Sequence, residues 1–254
     1  MKRAGAPHLF YGTAGIALVL LSWEMAARSG LVAPEALPAP TVAIAVAFRT
    51  IPTQDLLHDV TISLARVTAG FVIGGSLGVA IGIGAGWYRW FGAILRPLLE
   101  LLRPIPPLAW IPMAIIWFGL GEPSKIFVIV LGAFFPVVTN AYKGMLGIDP
   151  TILRAAQTMG VHGFKLLRQV ALPAAMPDIA IGLRIGWGLS FGILVAAELI
   201  AANSGLGYLI MHARELGETS VIIFGILAIG SVNLTTDYFI GWLIRRSVGR
   251  WHAT

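Results

Sequence analysis

The sequence predicts an all-α membrane protein with six transmembrane helices, and three observations support that fold class. Of its 254 residues, 57% are hydrophobic and only 12% are charged, whereas a soluble domain carries about 25% charged residues. Several apolar runs reach the roughly 20 residues that a helix needs to cross the hydrocarbon core of a bilayer. Lysine and arginine are concentrated in the short segments between these runs, which is the pattern of a membrane orientation signal.

Six apolar runs are predicted to be the membrane spans. They cover residues 9–27, 59–86, a stretch from within or after 103–112 to about 121, 125–142, 177–202 and 221–244. The third span starts late because the prolines of 103–112 remove backbone donors and disrupt regular helix. Residues 87–103 before it are predicted to form a loop and an interfacial helix. A proline-rich loop at 31–40 precedes a short apolar helix at 41–50.

The distribution of positive charge predicts the orientation. With six spans, the side that holds the N-terminus carries twelve lysines and arginines and the other side carries four. Because positive charge accumulates in cytoplasmic loops, both termini are predicted to be cytoplasmic. Residues 1–58 then form an N-terminal span with a periplasmic linker and interfacial helix. Residues 59–245 form the transmembrane core, and residues 246–254 a cytoplasmic tail.

The second predicted span carries a glycine at every fourth position: Gly70, Gly74, Gly78, Gly82 and Gly86. Residues four apart lie on one face of a helix. A face of small residues lets another helix approach closely, which matters in lipid because lipid offers helices no hydrophobic incentive to associate. Two interpretations stay open. The face packs inside one subunit, or it forms a subunit interface or a moving contact.

The residues that carry enzyme chemistry are mostly absent. None of the four lysines follows a glycine, so the chain has no G-x-x-x-x-G-K-[ST] phosphate loop. Cysteine is absent, and the five histidines are far apart and form no H-E-x-x-H pair. The net charge of +6 lies in loops between spans and does not indicate nucleic-acid binding. The chain is predicted to hold no cofactor or metal and to catalyse no reaction.

Ionisable residues within spans are candidates for function, because a charge near the bilayer centre costs at least about 2.5 kcal/mol and usually faces protein or water. Arg66 is expected either to extend to the lipid headgroups or to face the protein. Arg184 is expected to pair with a carboxylate or to hold the cytoplasmic gate. Glu198 is expected in a structural pair or in substrate contact. The candidate pathway or gate residues are Asn140, Arg184, Trp187 and Glu198.

Asp237 is predicted to form a polar patch in the sixth span with Asn233, Thr235 and Thr236. The patch is either an interhelical hydrogen-bond cluster or a substrate site. The first interpretation is favoured, because polar side chains within a membrane commonly bond across helices.

The longest polar interval, residues 154–173, is predicted to be a cytoplasmic hairpin of two short helices. The first helix covers residues 151–159. Gly160 permits the left-handed turn that ends it. The second covers residues 162–170, and Pro173 is predicted to stop it before the fifth span. A short amphipathic helix in the cytoplasm needs a partner groove. Binding flat on lipid is the alternative, but the alanine and glycine content offers little lipid anchoring.

The hairpin resembles the cytoplasmic loop signature of binding-protein-dependent ABC transporter permeases, E-A-A-x3-G-x9-I-x-L-P. The spacings agree, and the matching positions are Ala155, Ala156, Gly160, Leu172 and Pro173. Val170 replaces isoleucine. Arg154 replaces glutamate, which reverses the charge at the start of the loop. The resemblance implies an ATPase-coupling loop whose further members are His162, Gly163, Phe164 and Leu167.

Other stretches look like the nitrate, sulfonate and taurine importer permeases. They are PAPTVA at 38–43, LRPIPPLAWIPMAIIWFGLGEPSKIF at 102–127, ALPAAMPDIAIGLRIGWG at 171–188 and AAELIAANSGLGYLI at 196–210. The resemblance covers most of residues 35–245. It implies a type I ABC importer permease (MetI-like) fold, with a coupling helix between spans four and five, in the bacterial inner membrane.

The resemblance also implies partners. These are a second permease copy, two ATP-binding subunits that hold ATP and Mg, and a periplasmic or tethered solute-binding protein. The implied substrate is a small anion such as taurine, an aliphatic sulfonate or nitrate. The alternative is an ion-coupled secondary transporter or channel, which would need carboxylates at the midplane and commonly has an inverted repeat. The sequence has neither.

Overall fold

The computed structural model describes residues 6–30, 33 and 36–248, and these residues form helices and loops without a strand. Helices α1 to α11 are joined by short connections, with a 3-10 turn at Pro107–Trp110 and a π-helical turn at Leu167–Ala171. The α-helices are α1 Ala6–Arg28, α2 Pro40–Thr50, α3 Thr53–Trp87, α4 Arg89–Leu102, α5 Ile111–Phe118, α6 Glu122–Leu146, α7 Pro150–Thr158, α8 Gly163–Leu166, α9 Leu172–Ala201, α10 Leu206–Glu215 and α11 Thr219–Val248.

Helix α6 lies at the centre of the bundle and packs along both α3 and α9. Glycine makes this close approach possible on both sides. A Cβ at Gly82 of α3 would lie 2.6 Å from the Cβ of Ala141 and 2.8 Å from the carbonyl oxygen of Val138. A Cβ at Gly182 of α9 would lie 2.7 Å from the Cβ of Asn140. The backbones therefore meet at distances that a larger residue does not allow.

All five glycines of the predicted stripe face α6. A Cβ at Gly70 would lie 2.5 Å from Ile129, and one at Gly78 would lie 2.9 Å from Val137. Gly74 and Gly86 are equally close to Val130 and Met145. The stripe therefore packs inside the subunit, as in the first of the two interpretations, and a moving contact along this face stays a prediction.

The core between α3, α6 and α9 is apolar and dense. Its largest fully buried side chains include Phe191, Ile129 and Leu194. Trp187 packs edge-on against Phe71, with ring centroids 5.2 Å apart. In this core, dispersion contacts rather than water exclusion hold the helices together, because the outer surface of the bundle faces lipid.

The remaining helices pack around this core. Helix α2 packs on α11, where the rings of Phe48 and Phe224 meet edge-to-face at 5.7 Å. Helix α10, which the sequence analysis did not predict, packs on α9 and α11 through Leu209 and Ala213. The predicted apolar helix at 41–50 is confirmed as α2.

Among the residues that the structure describes, four helices are long and apolar enough to cross a membrane, and a fifth crossing arises if one bent pair counts as a single span. Three of the four, α3, α6 and α11, confirm the predicted spans 59–86, 125–142 and 221–244. The first predicted span, 9–27, lies partly outside the residues whose side chains are described, so its crossing and the total of six stay predictions. Residues 246–248 of the predicted tail belong to α11, and residues 249–254 lie outside the described residues.

The third span stays a prediction, because the structure places a bent pair of helical segments there. Residues 107–118, which follow the prolines, cover about 18 Å as helix at about 1.5 Å per residue, which is too short for a hydrocarbon core about 30 Å thick. The predicted loop and interfacial helix at 87–103 is instead one helix, α4, whose axis makes an angle of 84° with the helical segment Pro107–Phe118. The prolines thus coincide with a sharp bend, and the two segments together are long and apolar enough for one broken span or a re-entrant loop.

Replacing Gly82 with valine is expected to destabilise the protein, because the new side chain would collide with Ala141 and with the backbone of α6. Overpacking of this kind typically costs about 1–3 kcal/mol. The measurement is thermal unfolding of the purified protein in detergent. Gly188→Val is the matched control, because a Cβ at Gly188 on α9 meets nothing within 4 Å. Equal losses of Tm in the two variants would contradict the packing described for α3 and α6.

Candidate functional site

The polar hairpin begins at Asp149, which caps helix α7. Its Oδ1 accepts a hydrogen bond from the backbone N–H of Thr151 at 2.8 Å, and Pro150 occupies the first helical position. Both features stabilise a helix start. The bond from Thr151 holds the pKa of Asp149 below its ordinary value. The cap therefore stabilises α7 fully above the ordinary pKa, and this contribution is lost as the pH falls through the lowered value.

Gly160 ends α7, as the sequence predicts, with φ at +83°. The N–H of Gly160 donates to the carbonyl of Gln157, and the N–H of Val161 donates to the carbonyl of Ala156, both at 3.0 Å. This bonding pattern is a Schellman motif, in which a glycine in the left-handed conformation satisfies the last carbonyls of a helix. Gly163, with φ at +58°, turns the chain again before α8.

The second part of the hairpin departs from the prediction. The predicted helix at 162–170 consists of α8 followed by the π-helical turn Leu167–Ala171, and the chain then continues into α9 without a break. Pro173 does not stop the helix, so that prediction is wrong, whereas the start of the fifth span at 177 stays a prediction. The wider π turn carries the N–H of Leu172 to the carbonyl of Leu167 and makes room for the proline ring, which an ordinary helical turn does not do.

The surface of the hairpin combines apolar side chains with positive charge. Met159 is 84% exposed and Phe164 is 73% exposed. Ala155 and His162 are also exposed, whereas Leu167 is half-buried against the core of the bundle. The basic residues of the hairpin are Arg154, Lys165 and Arg168, and all three are exposed. The Nε atom of Arg154 donates to the carbonyl of Pro150 at 3.3 Å, and its charge remains at the surface.

A second cluster of charges lies at the opposite end of α6, around Arg66. The Arg66 guanidinium forms two bonds to Glu122, at 2.6 and 2.7 Å, and one to Glu198 at 2.8 Å. It also donates to the carbonyl of Ser204 at 2.6 Å. The Arg66 side chain is 4% exposed and the Glu198 side chain is 0% exposed. Lys125, also buried, adds a bond to Glu122 at 2.9 Å.

The same cluster holds the N-terminus of α10. The backbone N–H groups of Gly205, Leu206 and Gly207 donate in turn to Asp59 at 2.7 Å, to Ser63 at 2.9 Å and to Glu198 at 2.9 Å. The first N–H groups of a helix have no partner inside the helix, and here side chains of α3 and α9 supply partners. The Arg66 cluster thus joins α3, α6, α9 and α10 at one point.

The prediction that Arg66 extends to the lipid headgroups is wrong, because its guanidinium is surrounded by protein acceptors. Glu198 forms the structural pair that the sequence analysis left open, and its contact with substrate stays a prediction. Ser63, Asp59 and Lys125 were missed. Arg66 and Glu198 are 132 residues apart in sequence, and the spacing of the residues contains no signal that brings them together.

Arg184 and Asp237 form a third, more open ion pair between α9 and α11. The Nη2 atom of Arg184 lies 2.8 Å from Oδ2 of Asp237, and their side chains are 54% and 33% exposed. The pairing of Arg184 with a carboxylate of another span is confirmed, and so is the interhelical interpretation of Asp237. The predicted companions of Asp237 do not join it. Thr235 and Thr236 bond to carbonyls of their own helix.

The other candidate pathway residues lie between the helices. The indole of Trp187 is buried, and its ring N–H has no partner among the described residues. The side-chain amide of Asn140 donates to the carbonyl of Pro136 one turn earlier at 2.8 Å. Their role in a transport pathway stays a prediction. Within the described part of the chain, no group of three His, Asp or Glu side chains is arranged to hold a metal ion.

The family follows from comparison with known proteins. The model of the family described as "Binding-protein-dependent transport system inner membrane component" matches residues 76–248, which contain the hairpin, α6 and α9. This chain belongs to that family. It is therefore the membrane permease subunit of an ABC importer, a class that works with ATP-binding subunits and solute-binding proteins. A secondary transporter or channel acting alone is not favoured.

Individual relatives agree with this assignment. The chain is 37% identical to the taurine transport system permease of Escherichia coli, over 94% of this chain and 88% of the relative. It is 38% identical to the bicarbonate transport system permease of Synechococcus elongatus, over 76% and 69% of the two chains. The fold is similar to that of the MetNI methionine ABC transporter, with a TM-score of 0.58 and 20% identity over 77% of this chain and 97% of the other. The predicted MetI-like fold is thus confirmed.

Replacing Arg66 with methionine is expected to destabilise the permease strongly. The substitution leaves Glu198 buried without its cation and removes a bond from Ser204. Breaking a buried pair in this way costs about 3–5 kcal/mol. The measurement is denaturant or thermal unfolding in detergent.

Arg28→Met serves as the control for Arg66→Met, because Arg28 pairs with Glu24 at the surface and is 66% exposed. Exposed pairs of this kind contribute little to stability, so its unfolding curve should superimpose on that of the unmodified protein. If Arg66→Met changed the unfolding curve as little as the control does, the cluster would not stabilise the end of the bundle at which α6 begins.

Proposed function

We propose that this permease forms the pathway for a small anion and receives the energy of ATP from separate ATP-binding subunits that grip the hairpin at residues 150–171. The observation that carries the proposal is the exposed apolar side chain of Phe164, on a helix that runs from Gly163 into α9, beside exposed Met159 at the end of α7. A movement of the hairpin would reach the membrane without crossing a flexible loop.

The exposed surface has the composition of a docking site. Burying a side chain such as methionine or phenylalanine contributes about 1.5–3 kcal/mol, so these two side chains supply a central apolar anchor. Ile152, which is 48% exposed, extends the surface on α7. The surrounding Arg154, Lys165 and Arg168 favour an acidic rim on the partner groove. In this chain Arg154 replaces the glutamate of the loop signature, so the partner contact at that position is expected to be acidic.

The coupling is a shift between two states of the permease. ATP and Mg are bound by the ATP-binding subunits and not by this chain. If those subunits bind ATP more tightly when the hairpins are close together, ATP binding populates the conformation in which the pathway faces outward. Hydrolysis removes that preference, and the inward-facing state returns. The residues of this chain contribute the docking surface and the rigid connection.

The assembly that fits this mechanism has two permease copies, two ATP-binding subunits and one solute-binding protein. The permease lies in the bacterial inner membrane, with both termini and the hairpin in the cytoplasm. The charge count of twelve against four supports this orientation. With this orientation, the Arg66 cluster would lie at the periplasmic end, where the solute-binding protein delivers its substrate.

The proposed substrate is a small oxyanion, such as taurine, another aliphatic sulfonate or nitrate. Two relatives are named for taurine and bicarbonate, which both carry an oxyanion group. Arg184 supports the proposal from the side of this chain. Its guanidinium is half-exposed and uses two of its nitrogens for Asp237, so a donor remains for an anion among the five N–H groups that guanidinium provides.

The central test is the dependence of transport on ATP. The permease is purified from its native membrane, and we expect ATP-binding subunits to co-purify with it. Reconstituted in proteoliposomes with its solute-binding protein, the complex should accumulate radiolabelled taurine or nitrate only with Mg-ATP. Uptake that persists without ATP, in a preparation that lacks ATP-binding subunits, would overturn the proposal.

Replacing Phe164 with alanine is expected to weaken the affinity for the ATP-binding subunits by at least about 10-fold, as removal of a central aromatic anchor does at other interfaces. Binding is measured between the immobilised permease and the purified ATP-binding subunits. Gln157→Ala is the control, because Gln157 is exposed on the same hairpin but adds no apolar anchor. The anchor role of Phe164 is contradicted if both variants bind as tightly as the unmodified permease.

A further inference from the structure

Helix α4 lies near the last turns of α6. A Cβ at Gly92, near the start of α4, would lie 3.4 Å from the ring of Tyr142. Arg103, just after the end of α4, lines a cavity together with Tyr142 and Lys143. Both ends of α4 thus meet the last turns of α6, and the chain bends by 84° into the segment that follows. This arrangement places α4 across the end of the bundle that carries the hairpin.

Helix α4 has three distinct faces. Gly92 and Leu99 are buried against the protein. A stripe of large apolar side chains is exposed, and its members are Trp90, Ile94, Leu98 and Leu101. The charged residues Arg89, Arg96 and Glu100 lie on the other side of the helix. A helix with an exposed apolar face and a basic polar face lies in the membrane interface, with the apolar face toward the acyl chains.

The cavity between α4 and α6, which we call the α4–α6 groove, has a volume of about 620 Å³. Three cations line it, Arg96, Arg103 and Lys143, together with Leu99, Tyr142 and Leu146. Glu100 is the carboxylate of the lining, and it pairs with Arg96 at 2.9 Å. Within the described residues, neither Arg103 nor Lys143 has an ion-pair partner. The groove therefore carries an excess of positive charge.

The hydrogen-bonding groups of the groove also fit an oxyanion. Thr139 lines the groove, and its buried hydroxyl has no partner among the described residues. Tyr142 adds a second hydroxyl. The walls are apolar where the groove meets the exposed face of the bundle, and Leu146 there is 61% exposed. A free inorganic anion makes no use of such walls, whereas a phosphate ester with acyl chains does.

We infer that the α4–α6 groove binds the phosphate headgroup of an anionic phospholipid, with the acyl chains along the exposed apolar side of α4. Basic pockets between transmembrane helices at the cytoplasmic face are suited to such headgroups. The groove is formed by the last turns of α6, directly before Asp149 and the hairpin. A bound lipid therefore fixes the end of α6 from which the hairpin extends. Binding of the lipid itself does not depend on the proposed coupling to ATP.

The test compares lipid binding by the full-length permease in detergent, with any ATP-binding subunits that co-purify. Native mass spectrometry and thermal shift are measured with dioleoylphosphatidylglycerol and with dioleoylphosphatidylcholine. The unmodified protein should prefer phosphatidylglycerol and be stabilised by it, less so at high salt. The variant R96Q/R103Q/K143Q should lose on the order of 100-fold in affinity, about fivefold for each cation near an anionic headgroup.

The control variant R28Q/R49Q/R214Q removes the same charge at the other end of the protein and should bind phosphatidylglycerol within about twofold of the unmodified protein. If the triple groove variant does not fold, Arg103→Gln and Lys143→Gln are measured singly, each with an expected loss of about fivefold. Equal binding of the two lipids overturns the proposal. Binding of inorganic phosphate or glycerophosphoglycerol as tightly as the lipid also overturns it. So does a triple groove variant that no longer forms a permease dimer but still binds the lipid as the unmodified protein does.

Discussion

The close packing of α6 between α3 and α9 is the contact on which both ends of the molecule depend. In lipid the helices gain nothing from hiding apolar surface from one another, so they associate through dispersion contacts at short range. Glycines on α3 and α9 allow the helix backbones to come this close to α6. Gly82 meets Ala141 from one side, and Gly182 meets Asn140 from the other. Because α6 packs against a helix on each side, the positions of its two ends are fixed. The ion cluster forms at its N-terminal end, and the hairpin follows its C-terminal end.

At the end of the bundle where α6 begins, this close packing makes a buried ion cluster possible. Arg66, Glu122 and Glu198 come from three different helices, and the Arg66 guanidinium donates to both carboxylates at 2.6–2.8 Å. Removing charges from water is costly, and a buried pair repays that cost only when its geometry is good and its remaining groups are bonded. Ser63, Ser204 and the backbone of α10 supply those bonds. We interpret the main role of the cluster as fixing the position of α10 on the bundle. Its contribution to net stability is secondary.

The sequence predicts features that depend on local spacing, and it does so correctly here. Glycines four residues apart predicted a packing face, and Gly160 predicted the left-handed end of α7. Prediction from the sequence fails where a contact depends on residues that are far apart in the chain. Arg66 lies near the start of its predicted span, 59–86, and so resembles a side chain that extends to the headgroups, and only the tertiary fold brings Glu198 and Glu122 to it. Helix α10 was missed for the same reason, because its N-terminus is capped by side chains of α3 and α9.

Pro173 is the error with the largest consequence for mechanism. The rule that proline ends a helix assumes that each turn bonds to the residue four positions earlier. A π turn bonds five positions back, and such turns are frequent at functional sites in helices. The second part of the hairpin and the fifth span therefore form one helix of 39 residues, from Gly163 to Ala201. This helix is about 58 Å long at about 1.5 Å per residue. Phe164 lies at one end of this helix, Glu198 at the other, and Arg184 between them. A force applied to this end of the hairpin would thus act on Arg184 and on the Arg66 cluster through the same helix, whereas a loop at Pro173 would absorb it.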